Sequence, residues 1–222
     1  MSAIITPALL RAIGTKEANA NLYAPLLEKA RVVPGDGFNT ITSRMGVAML
    51  VSQLAHESAW FSTLSENLNY SVHALQEGNR AKYFTPVEAK LYGYVRTPDG
   101  TVVQKANQEM IANLYYGGRL GNYGVSTRDG WNFRGGGLIQ LTGRENFTEF
   151  GRSVNMSPEK ASEYARTPEG AVASALWFWR TRNLLIPASR GDVTRCTEII
   201  QGASGGLAAR ISLFKSSITA LG

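Results

Sequence analysis

The stretch of sequence that does most to set the fold is TITSRMGVAMLVSQLAHE, residues 40–57. Its apolar spacing repeats every three or four residues, which predicts a helix from about residue 40 to residue 57. The predicted core-facing side consists of Ile41, Met45, Ala48, Met49 and Ser52. The longest apolar run, residues 47–54, contains Ser52 and Gln53 and is far too short to span a bilayer. We therefore expect a helix of a soluble protein, without stable membrane insertion.

Four further helices are predicted to begin with a hydroxyl side chain directly before a proline. The hydroxyl can cap the first turn, and proline suits the first helical position because its missing N–H would have no helical partner there. These starts are Thr6-Pro7, Thr85-Pro86, Ser157-Pro158 and Thr167-Pro168. Glu88 adds a predicted capping box to the second of them. Asp192 and Gly202 predict the beginning and the end of another helix.

Apolar spacing predicts two more helical faces in the C-terminal third of the chain. In residues 168–182 the face consists of Ala171, Val172, Ala175, Leu176 and Trp179. In the last segment it consists of Leu207, Ile211, Phe214, Ile218 and Leu221. Strand patterns are scarce, and the best is a hairpin over 94–103 around a Pro98-Asp99-Gly100 turn. The predicted class is mainly α, with this small β element and a glycine-rich loop at 117–137.

Composition and charge limit the possible functions. The chain has 222 residues, of which 44% are apolar and 18% charged, as in an ordinary globular protein with one domain. The net charge of +6 favours acidic partners such as nucleic acid, an anionic membrane surface or a bacterial cell wall. The basic residues are scattered and form no nucleic-acid motif, so we expect no nucleic-acid partner. Cys196 is the only cysteine, which excludes an intrachain disulfide and a cysteine-based zinc site.

Two glutamates are candidates for acid and base chemistry. Glu57 follows an apolar run, where partial desolvation favours the protonated form that a general acid needs. Glu66 lies nine residues later among polar residues, where it should stay ionised and suit a general base. Glycoside hydrolysis uses such a pair of carboxylates in unlike environments. Most glutamate pairs are solvated surface charges, however, so residue type and spacing alone leave both interpretations open.

A metal site is the alternative for the same region. His56-Glu57 is similar to the beginning of a His-Glu-x-x-His zinc motif, but position 60 is Trp. The other histidine is His73, and two histidines without the motif spacing make a poor zinc site. We therefore expect no metal and no cofactor, and His56 by itself is interpreted as a hydrogen-bonded histidine at a helix end.

A second group of candidate residues lies in WNFRGGGLIQLTG, residues 131–143. Its three successive glycines allow the backbone to approach a ligand closely. If the residues after them are extended, Gln140 and Thr142 lie on the same side, because side chains alternate along a strand. Gln140 can then hold sugar hydroxyls or an acetamido group, and Thr142 can hold an attacking water. The alternative is a buried strand-like segment after a flexible loop.

Several motifs follow one another in a recognisable order. They are His56-Glu57-Ser58, then Glu66-Asn-Leu-Asn-Tyr-Ser71, then Ile111-Ala-Asn113 with Gly121-Asn122, and then Arg134-Gly-Gly-Gly-Leu-Ile-Gln-Leu-Thr-Gly-Arg-Glu-Asn146. Together they resemble family 19 glycoside hydrolases, and most of all the chitinase-like phage endolysins. The resemblance covers about residues 40–215. It implies a lysozyme-like fold of two lobes, with the glycine-rich loop lining the cleft between them.

The resemblance also implies catalytic roles. The family's catalytic acid falls on Glu57, and its base falls on Glu66 at the short spacing of the endolysins. The family's water-positioning residue falls on Thr142, and its sugar-binding Gln and Asn fall on Gln140 and Asn146. The family reaction is inverting, so water is activated directly and no covalent sugar intermediate forms.

Further substrate contacts are expected within the same motifs. The late arginine that contacts the acid region in the family falls on Arg210. The family's Ile-Asn-Gly stretch corresponds to Ile200-Gln201-Gly202. Gln replaces Asn there, so the sequence does not decide whether the hydrogen bond of the family's Asn is formed. The usual Gly-Arg-Gly reads Gly135-Gly136-Gly137, so one basic side chain is missing. The remaining predicted substrate contacts are His56, Asn69, Tyr70 and Trp131.

The aromatic residues divide into two predicted groups. Trp131, Tyr70 and Trp60 flank polar motifs and can stack on sugar rings, and Trp131 is preferred because glycines surround it. The other group is predicted to lie in the core and consists of Trp177, Phe178 and Trp179.

These observations predict a monomeric peptidoglycan hydrolase that cuts the glycan strand after N-acetylmuramic acid. Residues 1–222 are expected to form a single catalytic domain of two lobes, without a separate wall-binding domain. The N-terminus has no basic region or cleavage site typical of a signal peptide. We therefore expect synthesis in the bacterial host cytoplasm, release by a holin-type membrane permeabiliser and action on the wall in the periplasm. The alternatives are a chitinase and a non-catalytic glycan-binding protein.

Overall fold

The computed structural model describes residues 4–33, 36, 39–202 and 205–222, and this part of the chain is mainly helical. Its α-helices are α1 (Pro7–Ala12), α2 (Glu17–Ala30), α3 (Arg44–Glu57), α4 (Val72–Leu75), α5 (Pro86–Tyr92), α6 (Gln108–Tyr116), α7 (Asp129–Asn132), α8 (Arg144–Ser153), α9 (Pro158–Tyr164), α10 (Pro168–Thr181), α11 (Leu185–Ser189), α12 (Val193–Gln201) and α13 (Leu207–Ala220). Its other elements are short 3-10 helices at Gly78–Lys82 and Val125–Thr127 and the strands β1 (Val95–Arg96) and β2 (Val102–Gln104). The predicted class, mainly α with a small β element, is confirmed.

The chain folds as two compact units. The first unit consists of the described residues of Met1–Leu64, Gly136–Leu141 and Glu163–Gly222. The second unit consists of Ser65–Gly135 and Thr142–Ser162. Helices α1–α3 and α10–α13 belong to the first unit, and helices α4–α8 with the β hairpin belong to the second.

Helix α3 is buried on all sides instead of along one face. Residues 46–55 are all buried, whereas Met45, a predicted core position, is 42% exposed. The helix begins at Arg44, where the Ser43 hydroxyl caps the Gly46 N–H at 3.0 Å, so the predicted start is several residues too early. Helices α11 and α13 pack against α3, and a helix that is apolar all round is typical of a core. In the described part of the chain, neither α3 nor any other helix is long and apolar enough to cross a membrane.

The most buried side of helix α13 is rotated toward Arg210 and Ser217, at the edge of the predicted apolar face. The predicted positions from Leu207 to Leu221 are only half-buried, whereas Arg210 and Ser217 are buried. A buried arginine depends on partners from other helices, which the apolar pattern of one helix does not contain. In α10, by contrast, the predicted face is buried in full, although Trp177 and its neighbour Phe178 are half-buried and not core residues.

The four predicted helix starts with a hydroxyl residue before proline, and the predicted bounds of the helix between Asp192 and Gly202, are confirmed. At each predicted start the hydroxyl accepts a hydrogen bond from the N–H three residues later, and the caps are Thr6, Thr85, Ser157 and Thr167. Thr85 and Glu88 form the predicted capping box. Asp192 caps α12, and the helix ends at Gly202 in the left-handed conformation with a φ of 72°. These contacts lie within one turn of each helix, so the local sequence determines them.

The core of the second unit forms around α6. Its buried members are Leu68, Leu75, Phe84, Ala89, Ile111 and Ala112. Helix α7 packs against α6, where the Trp131 N–H donates to Oδ1 of Asn113 at 2.8 Å. The stretch 117–137 is therefore not a continuous loop as predicted, since it contains α7 and a 3-10 helix.

The predicted β hairpin is confirmed and lies at the surface of the second unit. Strands β1 and β2 are antiparallel, with Arg96 opposite Val102. The Gln104 side chain donates to the carbonyl oxygens of Lys90 at 2.8 Å and Gly93 at 2.5 Å. These bonds attach β2 to the end of α5.

The contact between α6 and α7 requires a glycine at position 130, because glycine has no Cβ atom. A Cβ atom there would lie 2.3 Å from the carbonyl oxygen of Ala112 and 2.7 Å from Cα of Asn113. Real Cβ atoms do not approach backbone this closely, so only glycine allows the two helices their present separation.

We expect Gly130→Ala to lower the free energy of unfolding by about 1–3 kcal/mol, the usual cost of overpacking. The matched control is Gly124→Ala, because nothing lies within 4 Å of a Cβ atom at Gly124 and its φ is −61°. Chemical denaturation of the two variants measures the difference. Equal stabilities would contradict the close approach of α7 to α6.

Candidate active site

Glu57, the last residue of α3, forms an ion pair with the guanidinium of Arg210 in α13. The Arg210 side chain is 2% exposed and the Glu57 side chain is 18% exposed. The carboxylate is thus largely removed from water, as the apolar run before it predicts. The apolar sequence before Glu57 does not predict the buried arginine next to its carboxylate. The resemblance implies a contact between Arg210 and the acid region, and the structure contains one.

Two further acceptors hold the guanidinium of Arg210. It donates to Oε1 of Gln53, one turn before Glu57, and to Oε1 of Gln201 in α12 at 3.0 Å. The Gln at position 201 therefore makes a hydrogen bond within the first unit. A buried guanidinium is costly unless its charge and N–H groups find partners. The four side chains therefore fix the ends of α3 and α12 against α13.

His56, directly before Glu57, is half-buried. Burial lowers the pKa of His56, and the positive charge of Arg210 lowers it further, while Glu57 opposes both. The imidazole is therefore neutral at neutral pH. Gly206 lies against this ring, because a Cβ atom at Gly206 would be 2.6 Å from Nε2 of His56. His56 thus places an uncharged polar group next to the Glu57–Arg210 pair.

The chain leaves α3 through a left-handed turn. Ala59, Trp60 and Phe61 have φ values of 48°, 56° and 61°, a conformation that costs energy for residues other than glycine. The Phe61 N–H donates to Oγ of Ser58 at 2.9 Å. The Trp60 indole N–H donates to the carbonyl oxygen of Ile13 at 2.8 Å, although the side chain is 46% exposed. These bonds hold the chain in a sharp reversal just after Glu57.

Glu66 lies in the second unit, where neutral donors hold it. The hydroxyl of Tyr116 donates to Oε1 at 2.8 Å, and the Gly135 N–H donates to Oε2 at 3.1 Å. The Glu66 N–H in turn donates to the carbonyl oxygen of Gly135 at 2.9 Å. The neighbours of Glu66 in the sequence are polar, which led us to expect polar surroundings. In the folded chain Glu66 is half-buried beside the ring of Tyr116.

Tyr116 remains a hydrogen-bond donor to Glu66. Its pKa is raised far above the usual value for tyrosine by burial, and next by the negative charge of Glu66. The ring of Tyr115 packs edge-on against it, with 4.8 Å between the ring centroids. The phenol is therefore protonated near neutral pH, and its ring has a fixed position.

Trp131 is partly covered by Arg134. The Arg134 guanidinium carbon lies 3.6 Å from the centre of the indole ring, and its Nη1 donates to the Trp131 carbonyl oxygen at 2.7 Å. Burial lowers the pKa of Arg134, while the charge of Glu66 opposes this shift. Trp131 itself is half-buried and packs against the core of the second unit. The guanidinium thus covers one face of the ring that was predicted to stack on sugar.

The backbone after the glycine run forms a tight loop, not the extended segment considered above. Gly136 and Leu141 exchange backbone hydrogen bonds of 3.0 and 2.8 Å, and Gln140 has a positive φ of 53°. Within the loop, Nε2 of Gln140 donates to the carbonyl oxygen of Gly137 at 3.0 Å. Side chains do not alternate through a left-handed residue. The argument that put Gln140 and Thr142 on one side is therefore wrong, and the two residues belong to the first and second units respectively.

The remaining predicted contacts lie in the second unit. Nδ2 of Asn146, in α8, donates to the carbonyl oxygen of Thr142 at 2.8 Å, so Asn146 supports the backbone that carries the Thr142 hydroxyl. Asn69 is exposed and Tyr70 is half-buried. The guanidinium carbon of Arg80 lies 4.7 Å from the centre of the Tyr70 ring. Burial, and next the charge of the nearby Glu66, raise the pKa of Tyr70.

Metal-ligating side chains are dispersed in the part of the chain that the structure describes. Among those residues, no group of three or more His, Cys, Asp and Glu side chains is arranged to hold a metal ion. Cys196 is buried, and burial raises the pKa of its thiol to about 12, so its reactive thiolate is scarce at neutral pH. The expectation that the protein needs no cofactor stays a prediction.

Sequence similarity to a known protein identifies the family to which this chain belongs. No family model matches the chain. A Haemophilus influenzae protein described as a glycosyl hydrolase family 19 domain-containing protein is 33% identical over 174 residues, which are 78% of this chain and 79% of that protein. The chain belongs to glycosyl hydrolase family 19. The resemblance seen in the motifs is confirmed at the level of the family, and the protein is a glycoside hydrolase.

Solved structures of family 19 chitinases have the same fold. A bacterial family 19 chitinase matches with a TM-score of 0.59 and 15% identity over 99% of this chain and 95% of its own. Chitinase C from Streptomyces griseus matches with a TM-score of 0.59 and 14% identity over 99% and 93%. The class IV chitinase from Zea mays matches with a TM-score of 0.56 and 14% identity over 99% and 94%. Likeness at such low identity shows the fold, and it confirms the family 19 fold expected from the motifs.

Some residues of this family 19 site are not found by sequence analysis. Gln53 lies one turn before Glu57, and the spacing of four residues was a signal that could have pointed to it. Tyr116 is 50 residues from Glu66, and no local pattern connects the two. The structure thus joins predicted residues to unpredicted ones in each unit.

We expect Arg210→Met to lower the free energy of unfolding by about 3–5 kcal/mol, because it leaves the largely buried Glu57 without its cation. The double change Arg210→Met with Glu57→Gln should cost less than the sum of the single changes, since it removes the stranded charge as well. Arg195→Met is the control, because Arg195 is 61% exposed and its ion pair with Glu198 should contribute little. Denaturant unfolding gives the free energy of unfolding of Arg210→Met, Glu57→Gln, the double variant and Arg195→Met. Additive losses in the double variant would contradict the Arg210–Glu57 pairing.

Proposed function

We propose that this family 19 glycoside hydrolase is a phage endolysin that cleaves the β-1,4 bond between N-acetylmuramic acid and N-acetylglucosamine in peptidoglycan. The observation that supports this chemistry is the contrast between its two site carboxylates. Glu57 is paired with the buried cation of Arg210, whereas Glu66 accepts hydrogen bonds from the neutral donors Tyr116 and Gly135. Two carboxylates in unlike surroundings can take opposite roles in proton transfer.

Glu57 is the proposed general acid. Arg210 bonds its Oε1, so the proposal places the transferable proton on Oε2. This proton passes to the glycosidic oxygen as the bond between that oxygen and the anomeric carbon breaks. The neutral imidazole of His56 keeps a second positive charge away from the acid.

Glu66 is the proposed general base. Each carboxylate oxygen has room for a second hydrogen bond, so the contacts with Tyr116 and Gly135 leave capacity for a water molecule. In an inverting reaction this water attacks the anomeric carbon directly and gives its proton to the base. Thr142 is the residue proposed to hold the water. One turnover leaves Glu66 protonated and Glu57 deprotonated, and exchange with solvent restores both.

The other predicted residues are proposed to bind sugar. Asn146 supports the Thr142 backbone and can also meet an acetamido group, and the exposed part of the Trp131 ring is proposed to contact a sugar. The remaining proposed contacts are Asn69, Tyr70 and Gln140. The net charge of +6 favours the anionic bacterial wall as the place of action.

A chitinase is the second candidate, because the solved structures that share the fold are chitinases. It would use the same carboxylates on an uncharged polymer of N-acetylglucosamine. The positive net charge favours peptidoglycan over such a polymer, since charge attracts only a charged substrate.

Mass spectrometry of the fragments released from purified peptidoglycan tests the proposal. A new reducing end at N-acetylmuramic acid is the expected product. A reducing end at N-acetylglucosamine, or release of peptides from intact glycan, would contradict the proposed bond. Chitin breakdown with peptidoglycan left intact would favour the chitinase.

We expect Glu57→Gln and Glu66→Gln each to reduce peptidoglycan turnover by at least roughly 100-fold, the lower range for loss of a general acid or base. The amide can neither donate the proton that the leaving oxygen needs nor accept one from water. Glu149→Gln is the control, since Glu149 is an exposed glutamate of α8. Circular dichroism checks folding, and normal turnover by either site variant would remove that residue from the proposed reaction.

Tyr116→Phe should lower kcat about 10-fold with a much smaller change in KM, because it removes one of the bonds that orient Glu66. The matched control is Tyr115→Phe, on the neighbouring ring of the same helix, which should keep its activity. Steady-state kinetics on solubilised peptidoglycan measures both. Equal activities of the two variants would show that the Tyr116 hydroxyl does not support the base.

A further inference from the structure

A groove of about 400 Å³ opens beside the β hairpin of the second unit. Asn67, directly after Glu66 in the chain, lies at one part of its wall, and hairpin residues form another part. We call it the hairpin groove, and its lining residues are Asn67, Asn69, Tyr94, Arg96, Val102, Lys105, Ala106 and Gln108.

The hairpin groove carries positive charge. Arg96 and Lys105 are both exposed, and none of the eight residues that line the groove is acidic. Nearby carboxylates have partners elsewhere: Asp99 bonds to the turn residues around it, and Glu109 pairs with Arg128 at 2.7 Å. The two cations are therefore available for an anion from outside the protein.

The walls of the groove are held in place. The N–H of Tyr94 donates to the carbonyl oxygen of Tyr70 at 2.8 Å, which joins β1 to the chain that follows Glu66. Oε1 of Gln108 accepts a hydrogen bond from the Leu68 N–H at 3.2 Å, which joins α6 to the same segment. The Arg96 guanidinium carbon lies 5.4 Å from the centre of the Tyr94 ring, within the range of a cation–π contact. The groove is thus built into the segment that carries Glu66.

The lining chemistry suits a carboxylate on a peptide or sugar. An arginine guanidinium binds a carboxylate through two parallel hydrogen bonds, and a lysine ammonium adds a point charge. The side-chain amides of Asn67, Asn69 and Gln108 match peptide and acetamido groups, which have both donors and acceptors. A neutral polymer of N-acetylglucosamine gives such cations nothing to bind.

We propose that the hairpin groove binds a carboxylate-bearing substituent of the glycan strand, and so selects peptidoglycan over chitin. Peptidoglycan differs from chitin in the lactyl ether on alternate sugars and in the stem peptide attached to it, which has free carboxylates. The inference rests on the proposed function, because it assigns the substrate class of the same enzyme. Its ligand is an anionic group attached next to the sugars that the carboxylates process.

The test compares two double variants. The groove pair combines Arg96→Gln with Lys105→Gln, and the control pair combines Lys82→Gln with Lys160→Gln. Both pairs remove two positive charges from exposed positions of the second unit, so they change the net charge equally. The probes are a soluble disaccharide with its stem peptide, the same disaccharide with a free lactyl carboxylate and no peptide, and an N-acetylglucosamine oligomer. Calorimetry gives Kd for each probe, and steady-state kinetics on purified peptidoglycan gives kcat and KM.

The groove pair should weaken binding of the carboxylate-bearing probes about 10-fold more than it weakens binding of the neutral oligomer. The control pair should weaken all three probes alike. On peptidoglycan the loss should appear in KM more than in kcat. A defect only with the peptide-free probe assigns a free lactyl carboxylate, and a defect only with the peptide-bearing probe assigns the stem carboxylates. A defect with both probes shows that the groove accepts a carboxylate at either position. The conservative pair Arg96→Lys with Lys105→Arg should retain binding.

Equal affinities of the groove pair and the control pair for every probe would overturn the groove proposal, even if the wild type cuts peptidoglycan. Failure of the wild type to bind either anionic probe would overturn it too. If the wild type binds these probes through Arg96 and Lys105 but leaves purified peptidoglycan uncut, the groove stands and the proposed function fails. The two failures are therefore distinguishable.

Discussion

The buried guanidinium of Arg210 is the interaction on which the position of Glu57 in the first unit depends. An arginine side chain that is 2% exposed is costly unless its charge is paired and most of its N–H groups have partners. Glu57, Gln53 and Gln201 pair the charge and the two terminal nitrogens from the ends of α3 and α12, whereas the buried Nε has no hydrogen-bond partner among the described residues. Any movement of these helix ends would strand a charge or a polar group away from water. The requirement to satisfy the guanidinium therefore also fixes the direction of the Glu57 carboxylate.

The second unit orients Glu66 through neutral hydrogen-bond donors. Tyr116 and the backbone of Gly135 donate to its two oxygens, and both donors are neutral. Burial and the charge of Glu66 raise the pKa of Tyr116, so the carboxylate itself helps to keep its donor protonated. The two glutamates have the same side chain, but one is paired directly with a buried cation and the other accepts hydrogen bonds from neutral donors. Such a difference allows one residue type to serve as acid and as base in the same reaction.

Under our proposal, the features that define the family and those that select the substrate lie in different parts of this molecule. The family 19 fold and the proposed reaction of the paired carboxylates are compatible with more than one N-acetylated glycan, because such glycans share the same type of glycosidic bond. A fold by itself does not define a substrate. The hairpin groove has Arg96 and Lys105 on its walls, and under our proposal their charge distinguishes substituted from unsubstituted strands. Selectivity by charge at the edge of a shared site requires no change in the catalytic residues.

The sequence by itself determined the helix caps, the hairpin and the family. A cap such as Thr85 bonds to an N–H three residues away, and the family motifs keep their order along the chain, so neither depends on distant contacts. Only the tertiary structure decided that Arg210 is a buried residue of α13 and that Tyr116 holds Glu66. Glu57 and Arg210 are 153 residues apart, and a pairing over that distance is set by how whole helices pack. The left-handed turn at Gln140 also required the structure, because the hydrogen bonds that close its loop override the strand pattern of its sequence.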